Sequence, residues 1–246
     1  MKDTLITDYF VNTNAIVKKA VEASQADIMQ LAHAISEVMI DEGVIQLYGV
    51  NHDIALSMEL GFRAGGLVQY HIIDNRHLSL REIVSLEETL APDYLQREDI
   101  AQMMFDMYNI EANDAFLIYV STEVVTSTLK LAQIAKEKGH KVFIITNKHA
   151  IEATDLENAQ SLYELADLIV DLNIGYPDLF FKVNDVAVSQ VSNLVANMFA
   201  QALTMEIYTI MKDQGHEPAV LWSMNVPGAD SHNRELTSKY DGRWNS

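Results

Sequence analysis

The chain of 246 residues contains no cysteine. That excludes a disulfide scaffold, thiol catalysis and thiolate metal ligation. It also fits a reducing compartment, so the cytoplasm is the expected location. Proline is scarce, with four residues. No internal repeat, low-complexity tract or long linker interrupts the chain, which reads as one domain over 1–246. No run approaches about 18 consecutive uncharged apolar residues, so nothing is expected to span a bilayer. The start, Met1-Lys2-Asp3-Thr4, carries an early acid and no apolar run, and does not read as a signal peptide. Basic residues are few: 17 Lys and Arg stand against 35 Asp and Glu, for a formal charge of −18. A field of that sign repels nucleic acid and anionic membrane, which removes both as partners. A small phosphorylated ligand stays open, because backbone N–H groups can hold a phosphate whatever the global charge.

What is present is apolar. At 49% hydrophobic residues the chain carries enough for a substantial core. Residues 8 to 41 repeat apolar positions at three-and-four spacing, including Ile28, Leu31, Ile35 and Val38, which predicts an N-terminal helical segment within 1–42. Ser24-Gln25-Ala26-Asp27 is a possible pause that would divide it into two helices. Short apolar runs at 44–48, 67–70, 115–120, 142–146 and 168–171 read as strands. Helical patterns lie at 53–62, 99–108, 126–138, 156–166 and 189–214. Residues 71–97 show no clean period beyond a helical stretch near 79–89. Strands alternating with helices predict an α/β fold, a three-layer αβα sandwich on a five-stranded parallel sheet with flavodoxin-like winding. Ligands in such folds bind beyond the carboxyl ends of the strands. That directs attention to Gly49–Asp53, Ser121–Val125, Thr146–His149 and Asn173–Asp178.

In the first of these loops, Gly49 permits a turn closed to other residues, and Asn51 or Asp53 can cap the following helix. His52 then sits near a helix N-terminus, where the helix field disfavours the imidazolium and suits a neutral base or donor. An ordinary capped helix with a surface histidine explains the same residues. In the second loop, Ser121, Thr122, Thr126, Ser127 and Thr128 precede or open a helix after the most strongly patterned strand. Hydroxyls and free amides there form either an anion cradle or plain caps. Glu123 argues against the cradle if its carboxylate turns inward. Neither loop is a Walker or dinucleotide motif, so a nicotinamide cofactor is not expected, and no other cofactor is called for. The eight histidines show no metal-binding spacing, so no metal is expected.

The tail from 222 onward is dense in polar groups and turn formers. Asn225, His232 and Asn233 offer donors and acceptors, and Pro227-Gly228 marks a turn. It reads either as a loop folded over a pocket or as a capped C-terminal helix beginning near Asp230.

Loops and tail together resemble the sugar isomerase (SIS) domain family, and within it the small stand-alone SIS proteins of bacteria. Ser223-Met224-Asn225-Val226-Pro227-Gly228-Ala229-Asp230-Ser231-His232-Asn233 matches their closing S-x-N-V-P-G-G-D-x-H-N pattern, with Ala229 at the second glycine. Phe62-Arg63-Ala64-Gly65-Gly66-Leu67 matches their Y-R-A-G-G-L segment, and Gly175-Tyr176-Pro177-Asp178 falls on their P-Y-G-D stretch. The similarity runs over essentially the whole chain. It implies a five-stranded parallel αβα fold, usually dimeric, that binds a phosphorylated sugar at the strand ends. The family's G-x-G-H-S loop corresponds to Gly49-Val50-Asn51-His52-Asp53, which keeps the histidine but replaces the second glycine by Asn51 and the serine by Asp53. Its S-N-S-G phosphate loop falls on Val120-Ser121-Thr122-Glu123, so the first serine and the glycine are lost. Two carboxylates therefore stand beside the implied phosphate position, and a carboxylate repels a phosphate dianion. The expectation is a kept fold with a weakened phosphate cradle, and a ligand that is a sugar phosphate, a free sugar or an amino sugar.

The implied activity is aldose–ketose isomerisation through an enediol. His52 is the first candidate base, His232 the second, and Glu88 a carboxylate alternative. Gly49, Asn51, Asp53, Ser121, Thr122, Glu123, Asn225 and Asn233 are the candidate substrate-binding residues. Binding or sensing without turnover is the alternative, and another sugar chemistry such as ether cleavage or deamination is a third. Arg63 is a candidate charge partner, with a helix cap or salt bridge as its plain explanation. The broad apolar faces of the N-terminal helix and of 189–214, including Met198, Phe199, Leu203, Ile207 and Met211, predict a homodimer.

Overall fold

A computed structural model describes residues 5–243. The Met1-Lys2-Asp3-Thr4 start and residues 244–246 of the tail lie outside the described residues. Helix α1 (Leu5–Ile40) is unbroken. Its 36 residues span roughly 54 Å at ~1.5 Å per residue. The pause expected at 24–27 is absent because Ser24 turns inward, and its hydroxyl bonds the Asp171 carbonyl instead of breaking the helix.

The chain then alternates. Strand β1 (Ile45–Tyr48) runs through a single 3-10 turn, Asn51–Asp53, into α2 (Ile54–Leu60). Next come β2 (Tyr70–Ile73), α3 (Arg76–Leu80), α4 (Leu86–Thr89), a second 3-10 turn at Tyr94–Gln96 and α5 (Glu98–Met107). The central part holds β3 (Ala115–Val120), α6 (Thr126–Glu137), β4 (Lys141–Thr146), α7 (Lys148–Thr154), α8 (Leu156–Leu165) and β5 (Leu168–Asp171). A hairpin of β6 (Leu179–Val183) and β7 (Val186–Gln190) leads into α9 (Ser192–Asp213), and α10 (Ala229–Ser238) closes the described chain.

The main sheet has the order β2-β1-β3-β4-β5 and every pairing is parallel. Alternate strand residues bury on opposite faces, as the two-residue period requires. Leu47, Leu117, Tyr119 and Ile145 meet α1, α2 and α9, whereas Tyr48, Phe116, Ile118 and Ile144 meet α5, α6 and α8. Both faces are covered, which is why these strands read as continuous apolar runs.

Three expectations need correction. The second strand lies at Tyr70–Ile73, not 67–70, because Leu67 and Val68 pair with the returning tail: Leu67 bridges Val220 and the Val68 amide donates to the Ala219 carbonyl. The last long helix begins at Ser192, because Ser189 has a positive φ of 65° and Gln190 belongs to β7. The hairpin ahead of it turns on Asn184 and Asp185, both at positive φ, the residue types a two-residue hairpin turn favours. Helix α7 also falls in the stretch between the strand at 142–146 and the helix at 156–166, where only a loop was expected.

Candidate functional site

The loop after β1 is set by Gly49. A Cβ there would lie 2.7 Å from the Asp53 carbonyl oxygen and 2.8 Å from its carbon, so only glycine lets the 3-10 turn fold back this closely. Asn51 takes a positive φ of 53°, which asparagine tolerates better than most residues. The turn leaves Asn51 and His52 exposed and drives Asp53 inward, where it is only 6% exposed. Strand β3 is the direct neighbour of β1, so the Asp53 carboxylate reaches the residue that follows β3. Its Oδ2 accepts from the Ser121 amide at 2.8 Å and its Oδ1 from the Ser121 hydroxyl at 2.6 Å. These are charge-assisted bonds in a buried setting. Burial nonetheless dominates and pushes the Asp53 carboxyl up to about 6, against the lowering effect of Ser121 and His52 and with help from the nearby Asp178 charge.

Val50, Asn51, His52, Asp53, Ser121, Thr122, Glu123, Val125 and Gln190 enclose a cavity of about 410 Å³. Glu123 is exposed at its rim, and its Oε1 lies 3.5 Å from the Gln96 amide nitrogen. The same Gln96 accepts at its Oε1 from the Thr126 amide at 3.1 Å and the Thr126 hydroxyl at 2.8 Å. Gln96 therefore caps α6, a role the hydroxyls of 121–128 were candidates for. Below the cavity, Gln190 donates to the Ser192 hydroxyl at 3.0 Å, and Ser192 donates to the buried Asp178 at 2.5 Å. Tyr119 is fully buried on the same side of the sheet, and burial together with the Asp53 and Asp178 charges holds its hydroxyl well above the ordinary tyrosine range.

The structure thus brings Gly49, Asn51, His52, Asp53, Ser121, Thr122 and Glu123 together. It does not bring the tail to them within one chain. Arg243 pairs with Asp114 at the start of β3, and Val68 and Leu67 hold 219–220 ahead of β2. The cavity lies beyond the other end of β3, a six-residue strand roughly 20 Å long. His232 turns its Nε2 to the Val220 carbonyl at 3.0 Å and stacks on Trp222, with ring centroids 3.9 Å apart. Asn233 holds both the amide and the carbonyl of Trp222, at 2.8 and 2.9 Å. Asn225 lines a separate cavity with Phe62, Arg63 and Trp222, so the tail motif meets the 62–67 segment there. A helix does begin at Ala229, close to Asp230. Glu88 completes a capping box with Ser85 and pairs with Arg97 at 3.2 Å; these contacts lower its pKa, and it does not line the cavity of His52. Arg63 pairs with Glu59 at 2.6 Å, one helical turn earlier. Sequence reasoning missed Gln96, Gln190 and Ser192. Asp178 carried a signal, since it ends the stretch after β5. No group of three or more His, Asp or Glu side chains is placed to hold a metal among the described residues, and no helix there is long and apolar enough to cross a membrane.

A five-stranded parallel sheet of order 2-1-3-4-5, with a cavity where the loops after β1 and β3 meet, defines a doubly wound αβα protein, and in such folds that end of the sheet is where ligands bind. Residues 8–147 match the family model described as the SIS domain, and the chain belongs to the SIS domain family. It is 28% identical over 249 residues to a UPF0309 protein of Geobacillus thermodenitrificans, covering 97% of this chain and 96% of the relative. A UPF0309 protein of Halalkalibacterium halodurans is 28% identical over 239 residues, covering 95% and 97%. Among solved structures, a phosphoheptose isomerase from Francisella tularensis superposes with a TM-score of 0.54 at 12% identity, covering 82% of this chain and 95% of that one. A phosphoheptose isomerase from Neisseria gonorrhoeae gives 0.53 at 11% identity, covering 83% and 97%. At these identities the likeness is one of fold.

Proposed function

We propose that this protein binds a sugar or sugar phosphate in the cavity between 49–53 and 121–125, and that the reaction suited to the site is aldose–ketose isomerisation. One observation carries this reading: the loops after β1 and β3 open on a single cavity, with His52 and Thr122 both in its wall. In the scheme, a base removes the C2 proton while O1 gains a proton, giving an enediol. Return of a proton to C1 and loss of one from O2 completes the ketose. His52, exposed in the cavity wall, is the group proposed to carry the proton. Asn51, Thr122 and Gln190 would orient the hydroxyls. Replacing His52 with asparagine is expected to cost at least about tenfold in turnover, read by NMR on an equilibrating panel of hexose and heptose sugars with and without phosphate. Turnover unchanged by the substitution would remove His52 from the scheme. Saturable calorimetric heat without product would favour the second reading, binding without catalysis. That reading is supported by the Ser121 donors being already engaged by Asp53.

A homodimer is proposed through α9, with Met198 but not the other four apolar residues named from its sequence. Phe199, Leu203, Ile207 and Met211 are consumed inside the chain, against α1 and the sheet. The outer side of α9 instead exposes Leu194, Met198, Met205 and Tyr208, and Met58 is exposed on α2, which packs against α9. Met205 alone is 70% exposed. A stripe of this kind can meet itself across a two-fold axis. Met205→Glu is expected to convert a dimer to a monomer in sedimentation velocity at micromolar concentration; a monomeric wild type would overturn the proposal.

A further inference from the structure

A phosphate-binding loop works by presenting unengaged N–H and O–H donors to the anion. Here the donors of Ser121 are not unengaged. The Asp53 carboxylate takes the amide with one oxygen and the hydroxyl with the other, at 2.8 and 2.6 Å, from a position 6% exposed to solvent. The protein's own anion occupies the place an incoming anion would need. A phosphoryl group entering beside Asp53 would find no relief either, because no Lys or Arg is among the residues that line the cavity and the rim adds Glu123. Like charges at such separations repel strongly when water is partly excluded. At the α6 terminus the Thr126 amide is likewise engaged, by Gln96.

The same geometry favours a different ligand. A carboxylate has about four lone-pair sites, and Ser121 uses one on each oxygen. The remaining sites on the two oxygens can accept from adjacent hydroxyls of a sugar, which are donors and carry no charge. We propose that Asp53 is the specificity-determining residue of this cavity, and that it selects an unphosphorylated sugar by filling the anion seat on Ser121. This rests on the reading of the cavity as a sugar site and names the ligand class it takes. Within it Ser121 is a positioning residue, holding both oxygens of a carboxylate that lines the cavity.

The test compares wild type with Asp53→Ser at about pH 8, where the Asp53 carboxyl is ionised. Inorganic phosphate is titrated first, with the Ser121 amide followed by NMR. Wild type is expected to show no saturable shift at millimolar phosphate, and the serine variant a clear one. Glucose, fructose and glucosamine are then compared with their 6-phosphates by calorimetry. Wild type is expected to bind an unphosphorylated sugar at least about tenfold more tightly than its 6-phosphate, and the variant to reverse that order. Should the serine variant fail to fold, Asp53→Asn keeps the shape, drops the charge and is expected to move the ratio the same way. A phosphate-dependent shift at Ser121 in wild type, or equal or tighter binding of a 6-phosphate, overturns the inference and leaves the sugar site standing. Binding of no sugar of either kind to wild type overturns both.

Discussion

Arg243→Ala is expected to lower the unfolding free energy by about 3–5 kcal/mol, because it strips the cation from a buried carboxylate. Asp114 stands just before β3 and its side chain is fully buried. It accepts from the Val44 amide at 2.8 Å, the Gln46 amide group at 2.9 Å and the Glu111 amide at 3.0 Å. The Arg243 guanidinium closes the set and also reaches Glu111 at 2.9 Å. Gln46 in turn bonds the buried His71 at 2.6 Å, so one network ties the tail, β1, β2 and the entry to β3. Alanine would leave the carboxylate with its neutral donors but no counter-charge, and would remove the tail's charged tie to the base of the sheet. The three remaining donors argue for the lower half of the range. Urea unfolding at neutral pH measures it. A midpoint change equivalent to less than about 1 kcal/mol, at unchanged slope, would mean the pair behaves as a surface contact.

The second large effect is a pH dependence centred on Asp53. Its pKa is raised from an ordinary 3.8 to about 6, first by burial and then by the Asp178 charge, with the Ser121 bonds and His52 opposing. A raised acid pKa means that the folded state holds its proton more tightly than the unfolded state. Between pH 4 and 6 the native state therefore binds more protons, and its stability falls as pH rises. The favourable contribution is whole below about 4 and lost once pH passes about 6. Roughly two pKa units correspond to about 3 kcal/mol. Asp53→Asn abolishes that titration and relieves the repulsion on Asp178. The difference in unfolding free energy between variant and wild type is expected to shift in favour of the variant by about 3 kcal/mol from pH 4 to pH 8. Parallel stability curves for the two proteins would show that Asp53 does not titrate in this window.

Much of the candidate site is local in origin and so is legible in the sequence. Gly49, His52 and Asp53 directly follow one strand, and Ser121 and Thr122 directly follow another. The parallel-sheet rule then says which ends face the ligand. What that rule does not give is which donor meets which acceptor. Asp53 reads as a helix cap from its neighbours, yet α2 has no side-chain cap and the carboxylate crosses to Ser121 instead. Gln96 sits in a stretch without period, and only the docking of its 3-10 turn against α6 makes it a cap. Gln190 reads as part of a helix because its apolar neighbours continue the α9 pattern, and the reversed φ at Ser189 is what places it in a hairpin beside the cavity.

The tail divides the two kinds of information most sharply. Its helix near Asp230 was open to reading because helix starts depend on a few adjacent residues. Its location was not, because Arg243 finds Asp114 across 129 positions of sequence, and no periodicity encodes a contact that long. Sequence alone determined the αβα class, the parallel sheet and the pair of loops that meet, since those follow from patterns repeated every two or 3.6 residues. Tertiary structure decided that Asp53 accepts from Ser121 and that the tail lies at the far end of the sheet, because hydrogen-bond partners between distant segments are chosen only when the layers close.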